Sequence, residues 1–345
     1  MIESLVGRQF DQRSLAVSAS LPGDLAHMSQ EGVRAVVDHA TELFSEAVLR
    51  HVGEFGQLPD HIKRHVDGLH AGINSFAEMV KDSSNYPLGA REIIAFRNNL
   101  ARSKSADSVS VIAERLSHSK GAIFVIDVDG TLTIDPDSYL RTHVPGGRIA
   151  EPRIDKEGII SVLPQTRADF VRDLPGVYYS VGRDPNYVKI RLGVREFFAG
   201  DHGIPGVSHN ILSASFEPFV RGVLDQAGAG QSKDLTVWAV THNNVVPTAK
   251  SLVVQHIALS NPDKAIFYLG DGSSDASVVL PEAAELVAGY FALNRGSFER
   301  ELKANRLPHV SYSNMFDVIG ALRQAQSISK ENTVVSFKDA VGLRA

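Results

Sequence analysis

Residues 121–131 read GAIFVIDVDGT, and this stretch decides the fold. Ala122 to Ile126 is an unbroken apolar run closed by two carboxylates. A strand with one wet face would alternate apolar and polar side chains. A continuous run marks a strand buried on both faces, as in a parallel sheet. Four further runs are strand candidates: Val207–Leu212, Leu235–Thr241, Ala265–Leu269 and Ala288–Leu293. Helical patterns lie between them, for example at Glu217–Ala227 and Thr248–Leu259. Strands alternating with helices predict an α/β fold, a Rossmann-like parallel sheet covered on both faces. Ligands then bind at the carboxyl ends of the strands.

Residues 135–195 interrupt the alternation. They carry PGGR, EPR, LPQTR, LPG and RDPN, so turns are frequent. They read as an inserted cap of about sixty residues directly after the first strand. Upstream, Val33, Val36, Val37, Ala40, Leu43, Phe44, Ala47 and Val48 recur at helical spacing. The segment from Gly53 to Pro59 breaks that helix, and further helical stretches are expected over 60–80 and 90–116. Residues 1–118 are therefore expected to form an N-terminal helical accessory domain, a candidate homo-oligomer contact, with a lid as the alternative. The core is expected over 119–134 and 196–345.

A net charge of −5 offers no basic footprint for nucleic acid. No apolar run approaches the length of a membrane span. The chain contains no cysteine, which excludes disulfides, zinc–thiolate sites and a thiol nucleophile. The start, MIESLVGRQFDQRSL, lacks a cationic segment followed by an apolar stretch, so no secretion signal is expected and a cytoplasmic location is.

Four elements carry chemistry. Asp127 and Asp129 end the first strand, and two carboxylates one residue apart make sense around a hard cation. One can act as nucleophile and ligand while the other trades protons. Gly130 permits a tight turn, and the amides from there through Thr131 can face phosphate oxygens. An ordinary Asx turn is the plainer alternative. Asp271 and Asp275, in GDGSSD, end a second apolar strand; Asp271 is a candidate metal ligand, and Asp275 a ligand or an acceptor behind it. Ser213 sits between a strand and a helix, where a hydroxyl can donate to phosphate, with Ser215 as a candidate helix cap. Lys250 falls in the first turn of the helix opened by Pro247 and Thr248, where a cation opposes the helix dipole and needs carboxylates or phosphate nearby.

Together these elements resemble the haloacid dehalogenase superfamily of phosphatases, and within it the phosphoserine-phosphatase-like branch. The resemblance covers Gly121 to about Arg323 apart from the insertion, with the motifs in the family's order. It implies that Asp127 attacks phosphorus and that Asp129 protonates the leaving oxygen and later activates water. It implies that Ser213 and Lys250 hold the phosphoryl oxygens. Mg²⁺ would be bound by Asp127, Asp271 and the carbonyl of Asp129, with Asp275 in support. Thr241 competes for the role of Ser213 but lies too close to Lys250 in sequence. The turn-rich cap departs from the helical cap of the phosphoserine phosphatases.

The expected activity is Mg²⁺-dependent hydrolysis of a small-molecule phosphate monoester. Asp129 points to phosphate chemistry, because halide leaves unprotonated. A phosphotransferase or phosphomutase is the enzymatic alternative, and a silent phospho-ligand-binding protein the non-enzymatic one. Arg172 and Arg183 in the cap are candidates for an anionic group on the substrate. His143, His202, His209 and His242 show no metal-site spacing and read as structural or surface residues.

Overall fold

Every residue of β1 (Ala122–Ile126) is buried, as its composition requires. The computed structural model describes residues 74–104, 107–134, 179, 180, 182–185, 188–230, 232, 234–240 and 250–340. Within them β1 pairs in parallel with β2 (Ser208–Phe216) on one side and β4 (Ala265–Gly270) on the other. β3 (Leu235–Val240), β5 (Gly289–Leu293) and β6 (His309–Tyr312) complete a six-stranded, all-parallel sheet in the order β3-β2-β1-β4-β5-β6.

Alternate side chains of the strands enter two separate cores. Phe124, Ile126, Ile211, Phe267, Leu269 and Phe291 face one layer. Ile123, Val125, Leu212, Ile266, Tyr268 and Tyr290 face the other. The second layer is filled by α1 (Ala90–Lys104), α5 (Lys250–Ser260) and α6 (Ser297–Ala304), through residues such as Ile94, Val254 and Phe298. The first is filled by α2 (Ser108–Ser117), α3 (Val194–Phe198), α4 (Glu217–Gln226) and α7 (Met315–Ala340), through Ile112, Phe197, Val223 and Leu322. Each fully buried side chain of this size contributes roughly 1.5–3 kcal/mol by leaving water.

The helix expected over 90–116 is two helices. The Asp107 carboxylate accepts the amides of Val109 and Ser110, both at 3.0 Å, and so restarts the chain as α2. The second of them packs on β5 and β6, and the first lies against it and against α5, while residues 1–73 lie outside the described residues. β2 runs past its expected end to Phe216, because its pairing with β3 shifts register between Leu212 and Phe216. β6 was not expected from the sequence.

The chain leaves the core after Ile134, whose amide donates to the Lys189 carbonyl at 2.8 Å, and Thr133 bridges Ile190 antiparallel. Val188 and Val194, at the far end of the expected cap, are buried in the core. Residues 135–178 lie outside the described residues. Among the described residues no helix is long and apolar enough to cross a membrane.

Candidate functional site

The Asp127 amide donates to the Leu269 carbonyl at 3.0 Å, extending the β1–β4 pairing by one bond. Asp127 therefore stands in the crevice between β1 and β4, where the strand order reverses and open α/β sheets bind ligands. The chain then makes a tight turn. The amides of Leu132 and Thr133 donate to the Val128 carbonyl at 2.9 and 3.2 Å, and the Gly130 amide donates to the Thr133 hydroxyl at 3.0 Å. Gly130 has φ of 77°, and a Cβ there would collide with the Asp271 carboxylate. Glycine is thus what lets the turn after β1 close against the acid that ends β4.

The Lys250 side chain is 1% exposed. Its ammonium donates to Asp127 Oδ1 at 2.6 Å, Asp275 Oδ1 at 2.7 Å and Ser274 Oγ at 3.3 Å. It opens helix α5, and these carboxylates offset its unfavourable position at the positive end of the helix dipole. Asp275 Oδ1 also accepts from the Tyr268 hydroxyl at 2.6 Å. Asp275 Oδ2 accepts the amides of Asp271 and Gly272, each at 3.0 Å. A carboxylate offers about four lone-pair sites, so Asp275 is filled. Of the two roles open to it from sequence, these bonds fit the acceptor that orients Lys250 rather than a direct ligand.

Carboxylate oxygens of Asp127, Asp271 and Asp275 lie within 4.8 Å of one another. With Asp275 occupied, Asp127 and Asp271 remain. The Thr131 hydroxyl is 3.4 Å from Asp127 Oδ2 and 3.3 Å from Asp271 Oδ1, long for hydroxyl donors. Burial pushes the Asp127 carboxyl up to about 7; Lys250 opposes that rise, and Asp275 and Asp129 add to it. Burial, with Asp127 and Asp275, likewise holds Asp271 well above the usual carboxylate range. Burial would lower the Lys250 pKa, but Asp127 and Asp275 outweigh it and keep the ammonium charged. One ammonium faces more carboxylates than it can balance, and a hard divalent cation held by Asp127 and Asp271 fits that excess.

Asp129 has different neighbours. Its Oδ2 accepts from Ser215 Oγ at 2.5 Å and lies 3.5 Å from Ser213 Oγ. The Ser215 amide donates to Ser213 Oγ at 3.0 Å. Both serines are buried inside β2, so Ser215 is not a helix cap; its hydroxyl belongs to Asp129.

The structure thus brings together Asp127, Asp129, Gly130, Thr131, Ser213, Lys250, Asp271 and Asp275. Arg172, Thr241, His143 and His242 lie outside the described residues. Arg183 is exposed on a segment packed against α4, where Gly182 and Gly222 approach too closely to admit a Cβ on either. In that contact the Tyr179 hydroxyl donates to Asp225. His202 and His209 are buried in an aromatic cluster with Phe124 and Phe197, and burial pushes both pKa values down to about 4. A cavity of about 580 Å³ elsewhere, lined by Val80, Tyr86, Arg91, Leu252 and Gln255 among others, includes none of the carboxylates of this cluster.

Sequence reasoning missed Tyr268, and it counted Arg191 only among the basic residues of the expected cap, most of them read as a solvated face. A tyrosine in an otherwise apolar strand was a signal, since a buried hydroxyl needs a partner. Arg191 carries no motif. Its guanidinium donates to the carbonyls of Thr131 at 3.0 Å, Gly130 at 2.5 Å, Thr133 at 3.1 Å and Ser313 at 2.9 Å.

No protein family model matches the chain, and no curated protein matches it.

Proposed function

We propose that this protein hydrolyses a small phosphate monoester through a covalent phosphoryl group on Asp127. The observation that carries the reading is the buried Lys250 ammonium, fixed between Asp127 and Asp275 beside a second, differently solvated carboxylate, Asp129. The sequence resemblance to the haloacid dehalogenase superfamily supports the same reading. The cap at 135–195, an oligomer contact through the N-terminal helices and a cytoplasmic setting belong to it as proposals.

A phosphate monoester repels nucleophiles with its own charge. Hydrolysis needs a placed nucleophile, positive charge at the phosphoryl oxygens and a proton for the leaving group. The Asp127 carboxylate oxygen forms the new bond to phosphorus as the bond to the ester oxygen breaks. Asp129, protonated at that stage, gives its proton to the departing alkoxide. In the second step Asp129 takes a proton from water, the water oxygen attacks phosphorus, and inorganic phosphate leaves with the Asp127 carboxylate restored. Lys250 and the Ser213 hydroxyl meet the phosphoryl oxygens, and Asp275 with Tyr268 holds Lys250 in line. Mg²⁺, held by Asp127 and Asp271, would supply further positive charge against the phosphoryl oxygens.

The test is phosphate release from a panel of phosphomonoesters with Mg²⁺, for the wild type and Asp127→Asn. We expect turnover that chelation abolishes and that the variant loses by at least about 10³-fold. Ester binding without phosphate release would sink the hydrolase in favour of a binding protein. Release of the leaving alcohol without inorganic phosphate, and only when an acceptor alcohol is present to take the phosphoryl group, would replace it with a phosphotransferase.

A further inference from the structure

We propose that Arg191 is a positioning residue for the leaving-group acid, acting on Asp129 through the backbone turn after β1; this rests on the phosphoryl-transfer reading above. The turn over 128–133 closes with the amides of Leu132 and Thr133 on the Val128 carbonyl, and the carbonyls of Gly130, Thr131 and Thr133 are not used in that closure. All three converge on one guanidinium. The fourth carbonyl, of Ser313, lies just before α7 and ties the turn to the end of β6.

The clamp is itself held. The Arg191 amide donates to the Leu132 carbonyl at 2.8 Å, its neighbour Ile190 bridges Thr133, and the Met315 amide donates to the Leu192 carbonyl at 2.8 Å. Arginine suits this place because its planar fork presents five N–H donors in fixed directions. Lysine has three donors on one rotating centre and cannot span the same carbonyls.

The consequence differs for the two acids. Asp127 is fixed on the strand side by the Leu269 carbonyl and by Lys250. Asp129 lies within the turn, and its carboxylate is steadied by Ser215. Loosening the carbonyl end of the turn therefore moves the proton donor more than the nucleophile. A displacement of about 1 Å is enough to cost roughly 10²-fold in rate.

The experiment measures kcat/KM of the full chain with Mg²⁺ for wild type, Arg191→Ala and Arg191→Lys, on p-nitrophenyl phosphate and on ethyl phosphate. Nitrophenolate departs with little help from a proton; ethoxide does not. We expect Arg191→Ala to lose about 10²-fold on ethyl phosphate and no more than about 10-fold on the nitrophenyl ester. Arg191→Lys should fall between. In Asp129→Asn, which has no acid to place, adding Arg191→Lys should cost nothing further on ethyl phosphate. Equal losses on both esters, or none, would overturn the proposal. If Arg191→Ala does not fold by circular dichroism, the ratio for Arg191→Lys decides in the same way. A wild type inactive on both esters would instead strike the phosphoryl-transfer reading, and this proposal with it.

Discussion

Consider Asp127→Asn compared with wild type in EDTA, each unfolded by urea between pH 5 and pH 8. Burial raises the Asp127 carboxyl from 3.8 to about 7 in the folded protein. The folded state then binds the proton more tightly than the unfolded chain. Its contribution to stability is fully present below the unfolded value and is lost as pH rises through about 7. The rise from 3.8 to about 7 corresponds to roughly 4 kcal/mol, at about 1.36 kcal/mol per pH unit. Most of that, on the order of 2–3 kcal/mol, falls between pH 5 and pH 8. Asparagine does not titrate, and groups common to both proteins, the buried histidines included, cancel in the difference. Asp271, which Asp127 helps to raise, moves the difference in the same sense. Wild type should therefore lose on the order of 2–3 kcal/mol relative to the variant on going from pH 5 to pH 8, and saturating Mg²⁺ should remove that slope. A flat difference in EDTA, or one of opposite sign, would refute the picture of buried carboxylates crowded around a single ammonium.

Two further outcomes follow from the packing. His209 is 5% exposed, and neither ring nitrogen has a hydrogen-bond partner among the described residues. With its pKa lowered from 6.5 to about 4, its contribution is complete above 6.5 and is lost as pH falls toward 4, by roughly 3 kcal/mol. His209→Phe should flatten the loss of urea midpoint between pH 7 and pH 4.5, and an unchanged acid limb would count against a neutral buried imidazole. Gly130→Ala forces a side chain into left-handed backbone and against Asp271, a strain on the order of 1–3 kcal/mol. Mg²⁺ binding by calorimetry should weaken at least about tenfold, and wild-type affinity would show that Asp271 is not the ligand.

The fold was legible because β1, β4 and β5 are continuous apolar runs, and such runs have one comfortable home. β6 was not, since its four residues, HVSY, include two polar ones and pair on one side only. The break at Asp107 was hidden by helical spacing that continues on both sides of it. At the site, residue types and spacings were readable while bonding was not. The rival roles of Ser213 and Ser215 are separated by a register shift that depends on β3. Asp275 is fixed in its role by donors from Tyr268 and from α5. Arg191 reaches carbonyls about sixty residues upstream. Bonds between residues so far apart leave no local pattern for sequence reasoning to find.

The strand order explains how two carboxylates one residue apart can serve different purposes. β1 is central, with β2 on one side and β4 on the other. From the β4 side come Asp271, Asp275 and, through the helix that precedes it, Lys250; these surround Asp127 with charge. From the β2 side come Ser213 and Ser215, whose hydroxyls reach Asp129. Paired acids do different work when their surroundings differ in this way. On the proposed chemistry, the nucleophile's position depends on the β1–β4 core, and the proton donor's on the turn and its clamp. Substitutions where the chain leaves and rejoins the core, near Ile134 and Lys189, should then change which alcohols can be released before they change attack on phosphorus.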